Sequence, residues 1–378
     1  MKTKRKIRLF VDAHCFDREY QGTRTFVQGL YTSMMNLYGS DFDLFFGARD
    51  VGKVSAIFPD ANILPYGKTG GGLGRFFIDI PRYVREYKFD FAHFQNLSMA
   101  RQNGCQSIVT LHDIIFRDYP GDFPFFYRKT REYLFKRSIA AAAIKTSVSA
   151  YSRERISSQF LIDPGEIHVI PNGARWPSED KPSPPRQARA NMLKKFGFDN
   201  FILCVSRIEP RKNHLLLLKT YTKLGLYNSG IHLVFVGKKS LDVPQLEGFA
   251  GSLPARQREM VHWIDQVSQE DLIDLYRACR LFVYPSRAEG FGIPPLEAIG
   301  CGAPVLCSNA AAMREYDFFE PHRFDPEDEP EFENKFLRAI ESPPGESFIK
   351  NAQFEASARY SWNRSAALFF NLMNTSRT

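Results

Sequence analysis

Short apolar runs, many rich in β-branched and aromatic side chains, recur along the whole chain. In the first half they fall at residues 7–11, 44–46, 62–64, 89–94, 107–111, 146–149 and 167–170. The second half repeats the theme at 201–205, 232–236, 261–264, 281–284 and 304–307. Most lack the apolar–polar alternation of a half-buried strand, as strands covered on both faces of a parallel sheet do. Between them lie stretches of helical character, among them 26–37, 125–142, 214–223 and 270–278. Strands alternating with helices predict an α/β architecture.

The pattern is interrupted once. Ile170-Pro171-Asn172-Gly173 carries turn chemistry, residues 177–185 are rich in proline, serine and charge, and a fresh strand begins at Phe201. The expected organisation is two doubly wound, Rossmann-like domains, 1–173 and 199–356, joined by a linker at 174–198. A helical segment at 357–378 completes the chain. Such domains bind ligands at the carboxyl ends of their strands, here in a cleft that the two would face across. No short repeat period is present, which excludes a solenoid.

Composition narrows the class further. The 378 residues suit two domains, and 44% hydrophobic with 24% charged residues excludes disordered and fibrous chains. Six scattered cysteines with no CxxC spacing exclude a disulfide scaffold. No run of about 18 apolar residues exists to span a membrane. The basic start MKTKRKIRLFVD passes straight into a strand-like run, unlike a signal peptide, so a cytoplasmic protein is expected. The net charge of +8 favours anionic partners such as phosphates, nucleic acid or an anionic membrane face, or is simply a mild charge spread over a long chain.

Several apparent motifs fail on inspection. Gly67-Lys68-Thr69 lacks the earlier glycine of a phosphate-binding loop, since Asn62 stands there. The glycine run 70–74 ends on Arg75 where a dinucleotide fingerprint needs glycine, and reads as a loop. No HExxH and no Cys/His zinc spacing occurs, so no bound metal is expected. Asn96-Leu97-Ser98 is a glycosylation sequon that reads as idle without a secretory signal.

The segment Pro285-Ser286-Arg287-Ala288-Glu289-Gly290-Phe291-Gly292-Ile293-Pro294-Pro295-Leu296-Glu297 follows an apolar strand and so lies at a strand's carboxyl end. Gly290 and Gly292 permit close approach of backbone to a ligand. Pro294 and Pro295 suit a helix entry, whose N–H groups would face an anion. Glu289 and Glu297 are acceptors fit for sugar hydroxyls. Upstream, Ser206-Arg207-Ile208-Glu209-Pro210-Arg211-Lys212-Asn213 follows another strand and is basic. Thr110-Leu111-His112-Asp113 ends a strand of the first half, and Gln21-Gly22-Thr23-Arg24-Thr25 opens the helix expected from Phe26.

Two glutamates separated by seven residues around Gly-Phe-Gly resemble the signature of retaining glycosyltransferases of family 4, which have the GT-B fold. The weaker matches at Ile170-Pro171-Asn172-Gly173 and Tyr360-Ser361-Trp362 resemble the family's interdomain crossover and the start of a C-terminal helix crossing back to the N-terminal domain, with Ala366, Leu368, Phe369 and Leu372 on its packed face.

The resemblance implies roles residue by residue. Arg207 and Lys212 would bind the donor diphosphate, supplying the charge of a metal ion so that none is required. Arg211 is an additional cation to which the resemblance gives no role. Glu297 would bind the ribose, and Glu289 with the backbone of Gly290, Phe291, Gly292 and Ile293 would hold the donor sugar. His112 would meet that sugar near its reacting carbon, and Gly22, Thr23 and Arg24 would form a first loop facing diphosphate and acceptor. The family often has two adjacent glycines in that loop, whereas this chain has only Gly22.

The resemblance further implies a nucleotide diphosphate sugar as co-substrate, GDP-mannose or UDP-glucose favoured, and a saccharide or lipid-linked acceptor in cell-surface glycan biosynthesis. No nucleic acid is implied. Two other readings stay open at the level of sequence: a nucleotide-sugar epimerase or hydrolase of the same architecture, and a noncatalytic nucleotide-binding protein. The segment 125–137 interleaves aromatics with cations. It reads either as a packed helix with a solvated basic face or as a patch resting on anionic lipid headgroups at the inner face of a membrane.

Overall fold

The computed structural model describes residues 5–17, 22–67, 74–98, 104–174 and 184–376. Gln21, the glycines at 70–72 and residues 177–183 of the proline-rich stretch lie outside the described residues. The chain divides into two compact units. One runs to Gly173 and takes in the C-terminal segment from Tyr360; the other spans Ala174–Arg359.

The first unit is built on β1 (Ile7–Asp12), β2 (Phe42–Ala48), β3 (Asn62–Pro65), β4 (Phe91–Gln95), β5 (Gln106–Leu111), β6 (Ile144–Ser147) and β7 (Ile167–Val169). All pair in parallel in the order β3-β2-β1-β4-β5-β6-β7. The second unit holds β8 (Phe201–Val205), β9 (His232–Val236), β10 (Val261–Ile264), β11 (Leu281–Tyr284), β12 (Val305–Ser308) and β13 (Arg323–Phe324), again parallel, in the order β10-β9-β8-β11-β12-β13. Burial on both faces explains the continuous apolar runs: every residue of β4, β11 and β12 is buried.

Each sheet reverses its winding once, between β1 and β4 in the first unit and between β8 and β11 in the second. At such a point neighbouring connections leave on opposite faces, and the loops at the strand ends part to leave room for a ligand.

Three expectations change. The linker range 174–198 contains a helix, Pro185–Phe196, which packs within the second unit: Asn191 Nδ2 donates to Asp274 at 2.7 Å and Lys195 pairs with Asp271 at 2.6 Å. Proline at its start disguised a helix that proline there favours. The first helix begins at Gly22, so Gly22, Thr23 and Arg24 form its opening turn instead of a free loop. On the last helix, Trp362–Thr375, the buried stripe is Ser365, Ala366, Phe369 and Met373, while Leu368 is 39% exposed and Leu372 only partly covered.

That last helix lies on Gly22–Tyr38. Trp362 fills the space over Gly29, where a Cβ would sit 2.1 Å from the indole, and Tyr38 stacks on Phe370 at 4.1 Å. The Ser361 side chain caps its N-terminus, and Ser365 Oγ donates to the Pro171 carbonyl at 2.7 Å. The face is therefore set by small residues that let two helices approach closely.

Phe369 is fully buried, touching the rings of Tyr31 and His93. Phe369→Ala is expected to cost about 3–5 kcal/mol, and Leu368→Ala within about 0.5 kcal/mol of nothing. Urea unfolding of both variants checks the stripe; equal losses would contradict it.

Candidate functional site

In the second unit, the loops after β8 and β11 flank the winding reversal and meet at one side chain. Glu289 is almost fully buried. Its Oε1 receives the Lys212 ammonium, the Tyr284 hydroxyl at 2.7 Å and the Ser286 hydroxyl at 2.8 Å. Its Oε2 receives Arg211 Nη1 at 3.3 Å. Arg211 also donates to the Ala288 carbonyl at 2.9 Å and pairs with Glu209, while its own carbonyl accepts the Arg287 N–H at 2.8 Å. Burial alone would push the Glu289 carboxyl up, but Lys212 and Arg211 outweigh it and hold the group down at about 2. Glu289 is therefore an anion at any ordinary pH.

The same cluster places Lys212 beside Tyr284, 3.3 Å from its hydroxyl. Asn213 follows in left-handed conformation (φ 58°), anchored by its side chain to the Pro326 carbonyl at 3.2 Å, and starts the helix His214–Lys223. Arg207 sits half-buried two residues beyond β8 in the same loop.

Beyond Glu289 the chain turns at Gly292, whose φ of 92° favours glycine; a Cβ would also press Met313 Sδ at 3.1 Å. The Tyr316 hydroxyl reaches the carbonyls of Phe291 and Gly292 at 2.7 and 3.1 Å. The helix Ile293–Gly300 begins there. Its N-terminal end is poorer in donors than the sequence suggested. Pro294 and Pro295 carry no N–H, which leaves Gly292 and Ile293 to supply the backbone donors. Glu297 lies in this helix, and its Oε2 accepts the Tyr276 hydroxyl at 3.2 Å.

In the first unit, His112 follows β5, half-covered, and its burial depresses the imidazole to about 4, so the ring is neutral at pH 7. The His112 backbone N–H donates to Asn96 Oδ1 at 3.0 Å, and its backbone carbonyl accepts Ser152 Oγ at 2.9 Å. The Phe26 ring meets it edge-on at 5.1 Å, which ties it to the helix carrying Gly22, Thr23 and Arg24. Arg24 lies over the Phe16 ring at 4.9 Å. Asn96, part of the supposed idle sequon, is thus a support for His112, held in left-handed conformation (φ 63°).

Sequence reasoning joined Lys212 and Glu289 to one site, and the structure brings them into contact. It assigned no role to Arg211 and overlooked Tyr284, Glu209, Gln95 and Asp12. The first three of these lay within or beside quoted motifs at strand ends. Asp12 ends β1 fully buried, receiving Tyr66 and Arg75 at 2.9 and 3.1 Å with His14 at 3.2 Å. Burial opposes its charge, yet His14 and Arg75 hold the carboxyl far below its usual range.

Among the described residues no cluster of three or more His, Cys, Asp or Glu is placed to hold a metal. No described helix is long and apolar enough to cross a membrane.

Two parallel-sheet units of seven and six strands define a GT-B architecture. A solved glycosyltransferase from Rickettsia africae superposes on 99% of both chains, with a TM-score of 0.73 at 16% identity. Residues 43–175 match the family described as Glycosyltransferase Family 4, and residues 186–356 match Glycosyl transferases group 1. The chain belongs to the group 1, family 4 glycosyltransferases.

Among curated relatives, the serotype-specific mannosyltransferase WbdA of Escherichia coli is 34% identical over 173 residues, 45% of this chain and 21% of that protein. The O-antigen chain mannosyltransferase B of Escherichia coli is 29% identical over 234 residues, 61% of this chain and 60% of that one. The matches thus span about a fifth and three-fifths of these relatives' lengths.

The buried carboxylate yields a pH signature. Because its pKa falls from 4.5 unfolded to about 2 folded, Glu289 contributes stability that is complete above pH 4.5 and is lost as pH falls toward 2. The stability gap between wild type and Glu289→Gln should therefore shrink on acidification. Urea unfolding at pH 6 and pH 3 measures it; a gap that is constant or widens contradicts the cluster.

Proposed function

We propose that this protein is a retaining glycosyltransferase that moves a hexose, mannose in preference to glucose, from a nucleotide diphosphate sugar to a saccharide or lipid-linked acceptor in cell-surface glycan assembly. The observation that carries the reading is the meeting of Lys212 and Arg211 with Glu289 beside the Gly292 turn, at the winding reversal of one sheet. The preference for mannose is supported by relatives named as a serotype-specific mannosyltransferase and an O-antigen chain mannosyltransferase.

Arg207 and Lys212 bind the diphosphate, the N–H groups at Gly292 and Ile293 add donors, and Glu297 accepts the ribose hydroxyls. Glu289 and the backbone from Gly290 to Ile293 hold the sugar. His112 hydrogen-bonds the sugar near the reacting carbon, and Gly22, Thr23 and Arg24 serve the acceptor.

Glu289 positions and does not attack. Its Oε1 is occupied by Lys212, Tyr284 and Ser286 and its Oε2 is charge-paired with Arg211, a poor state for a nucleophile, while Oε2 with its single donor can still accept a sugar hydroxyl. In the reaction the bond from the anomeric carbon to the diphosphate oxygen breaks. The acceptor oxygen bonds to that carbon on the same face, and its proton passes to the departing diphosphate. The positive charge that stabilises the leaving group comes from side chains, and no metal ion is required.

A thermal-shift panel of nucleoside diphosphates comes first, since a ligand at 100 times its Kd adds about 2.7 kcal/mol. GDP should stabilise more than UDP, and Glu297→Ala should weaken binding by about 1.5–3 kcal/mol. Donor turnover should require an acceptor, survive EDTA and keep the anomeric configuration. Turnover without an acceptor would favour the epimerase or hydrolase reading, binding without any turnover the noncatalytic one, and an inverted product would refute retention.

The proposal includes a site of action at the cytoplasmic face of an anionic membrane, and the helix Phe125–Ala141 supports it. Only Phe135, Ser138 and Ile139 are buried, while Phe126 and Tyr133 are 82% and 64% exposed among five cations. A purely packed helix leaves those rings unexplained. Each cation near such a surface contributes about 1 kcal/mol. The protein should cosediment with phosphatidylserine vesicles at low salt, and reversing Arg128, Lys129 and Lys136 to Glu should abolish it. Wild type staying in the supernatant would remove the membrane from the proposal.

A further inference from the structure

Pro294 and Pro295 leave a gap in the hydrogen bonding of the turn before them. In a helical turn a carbonyl accepts from the N–H three or four residues further on. For Phe291 those residues are Pro294 and Pro295, which have no N–H. Phe291 is buried, so its carbonyl needs a donor from the protein. Tyr316, 25 residues along the chain, supplies one: its hydroxyl lies 2.7 Å from the Phe291 carbonyl oxygen and 3.1 Å from that of Gly292. Tyr316 is buried, and its ring meets those of Phe291, Phe318 and Phe319 at 6.1, 5.7 and 6.1 Å.

We infer that Tyr316 is a positioning residue: by holding those two carbonyls it aims the N–H groups of Gly292 and Ile293 together at the phosphate that carries the sugar. This rests on the proposed use of both amides as donors to the diphosphate.

The direction follows from covalent geometry. Both peptide units are trans, and in a trans unit the N–H points opposite to the C=O. The Phe291 carbonyl shares its unit with the Gly292 N–H, and the Gly292 carbonyl shares its unit with the Ile293 N–H. Two carbonyls drawn to one hydroxyl therefore send two N–H groups away from it. The left-handed backbone at Gly292 (φ 92°, ψ 64°) keeps the units side by side, because successive carbonyls in a helical turn of either hand point the same way.

Neither the Gly292 nor the Ile293 N–H makes a hydrogen bond to an acceptor among the described residues. Main-chain donors at a buried turn are seldom left so, and adjacent ones with a common direction form a seat for an anion. The turn has little freedom to reach that state by another route. A Cβ on Gly292 would press Met313 Sδ at 3.1 Å and lie 3.7 Å from the Tyr316 ring. Removing the hydroxyl alone leaves this packing in place but lets the Phe291–Gly292 unit rotate, and its N–H swings away with its carbonyl.

Labelling with 13C-carbonyl phenylalanine and 15N-glycine isolates the Phe291–Gly292 amide by NMR as one of three Phe-Gly pairs in the chain, and its loss in Gly292→Ala assigns it. In wild type, GDP should move this amide proton downfield, whereas GMP, one phosphate shorter, should leave it in place; UDP and UMP serve instead if UDP binds more tightly. Tyr316→Phe keeps the ring and removes the hydroxyl. Its Kd for GDP should rise about three- to tenfold, up to the value of one hydrogen bond, with Kd for GMP unchanged. A role in packing alone would leave the ratio of the two constants as in wild type. A Gly292 amide that bound GDP leaves unmoved, or an unaltered ratio in a folded Tyr316→Phe protein, overturns the inference. The wild-type amide measurement stands even if that variant fails to fold. Wild type that binds neither GDP nor UDP would overturn the donor reading itself, and this inference with it.

Discussion

A carboxylate removed from water has to recover several kcal/mol from its surroundings, and Glu289 recovers it from two separate loops. Lys212 and Arg211 come from the connection after β8; Tyr284 and Ser286 come from the end of β11 and the turn beyond it. Neither loop satisfies the charge alone. Removing any cation would leave a buried anion exposed to its own desolvation cost, so the loops are held together by need. The Arg211 carbonyl and the Arg287 N–H add a backbone tie across the same gap. Everything proposed for the donor, including the diphosphate contacts and the Gly292 turn, depends on loops shaped by this one anion.

The first unit solves a related problem without a strong ion pair at its site. At its own winding reversal, the end of β4 supplies Gln95 and Asn96, and the next strand brings His112 to them. Here neutral groups are matched donor to acceptor. The nearby charge, Asp12, is kept apart, bound by Arg75, Tyr66 and His14. A neutral ring among neutral partners suits contact with an uncharged sugar, and a cluster of cations and anions suits a phosphate.

Much of the fold was legible because parallel strands covered on both faces leave long apolar runs that need no partner to be recognised. The twelve expected runs all lie at or within a residue or two of strands. The strand β13 was not seen, since two residues, Arg323 and Phe324, carry no period. The Pro185–Phe196 helix was hidden by proline-rich context, and on the last helix Ala366 and Phe369 were read correctly, whereas Leu368 and Leu372 were placed on the packed face because they are apolar and the buried Ser365 and Met373 were not. At the candidate site, the family resemblance pointed to Glu289 and Lys212. It could not show that Arg211 shares the carboxylate, or that Gln95 and Asn96 stand behind His112. Those are meetings of residues distant in sequence, and they follow only from strand order.

The helix Trp362–Thr375 sits in the first unit, although about half the chain separates it from the rest of that unit's residues. Synthesis therefore delivers the pieces out of order. As the first sheet emerges from the ribosome, the surface around Phe26, Tyr31 and His93 lacks Phe369 and Trp362, whereas the second unit, continuous from Ala174 to Arg359, meets all its own partners first. Domains ordinarily mature in the order they are made. Here the earlier unit is completed after the later one, and the helix that completes it also covers the rings behind His112, so that this imidazole acquires its packed backing only after the whole second unit has been translated.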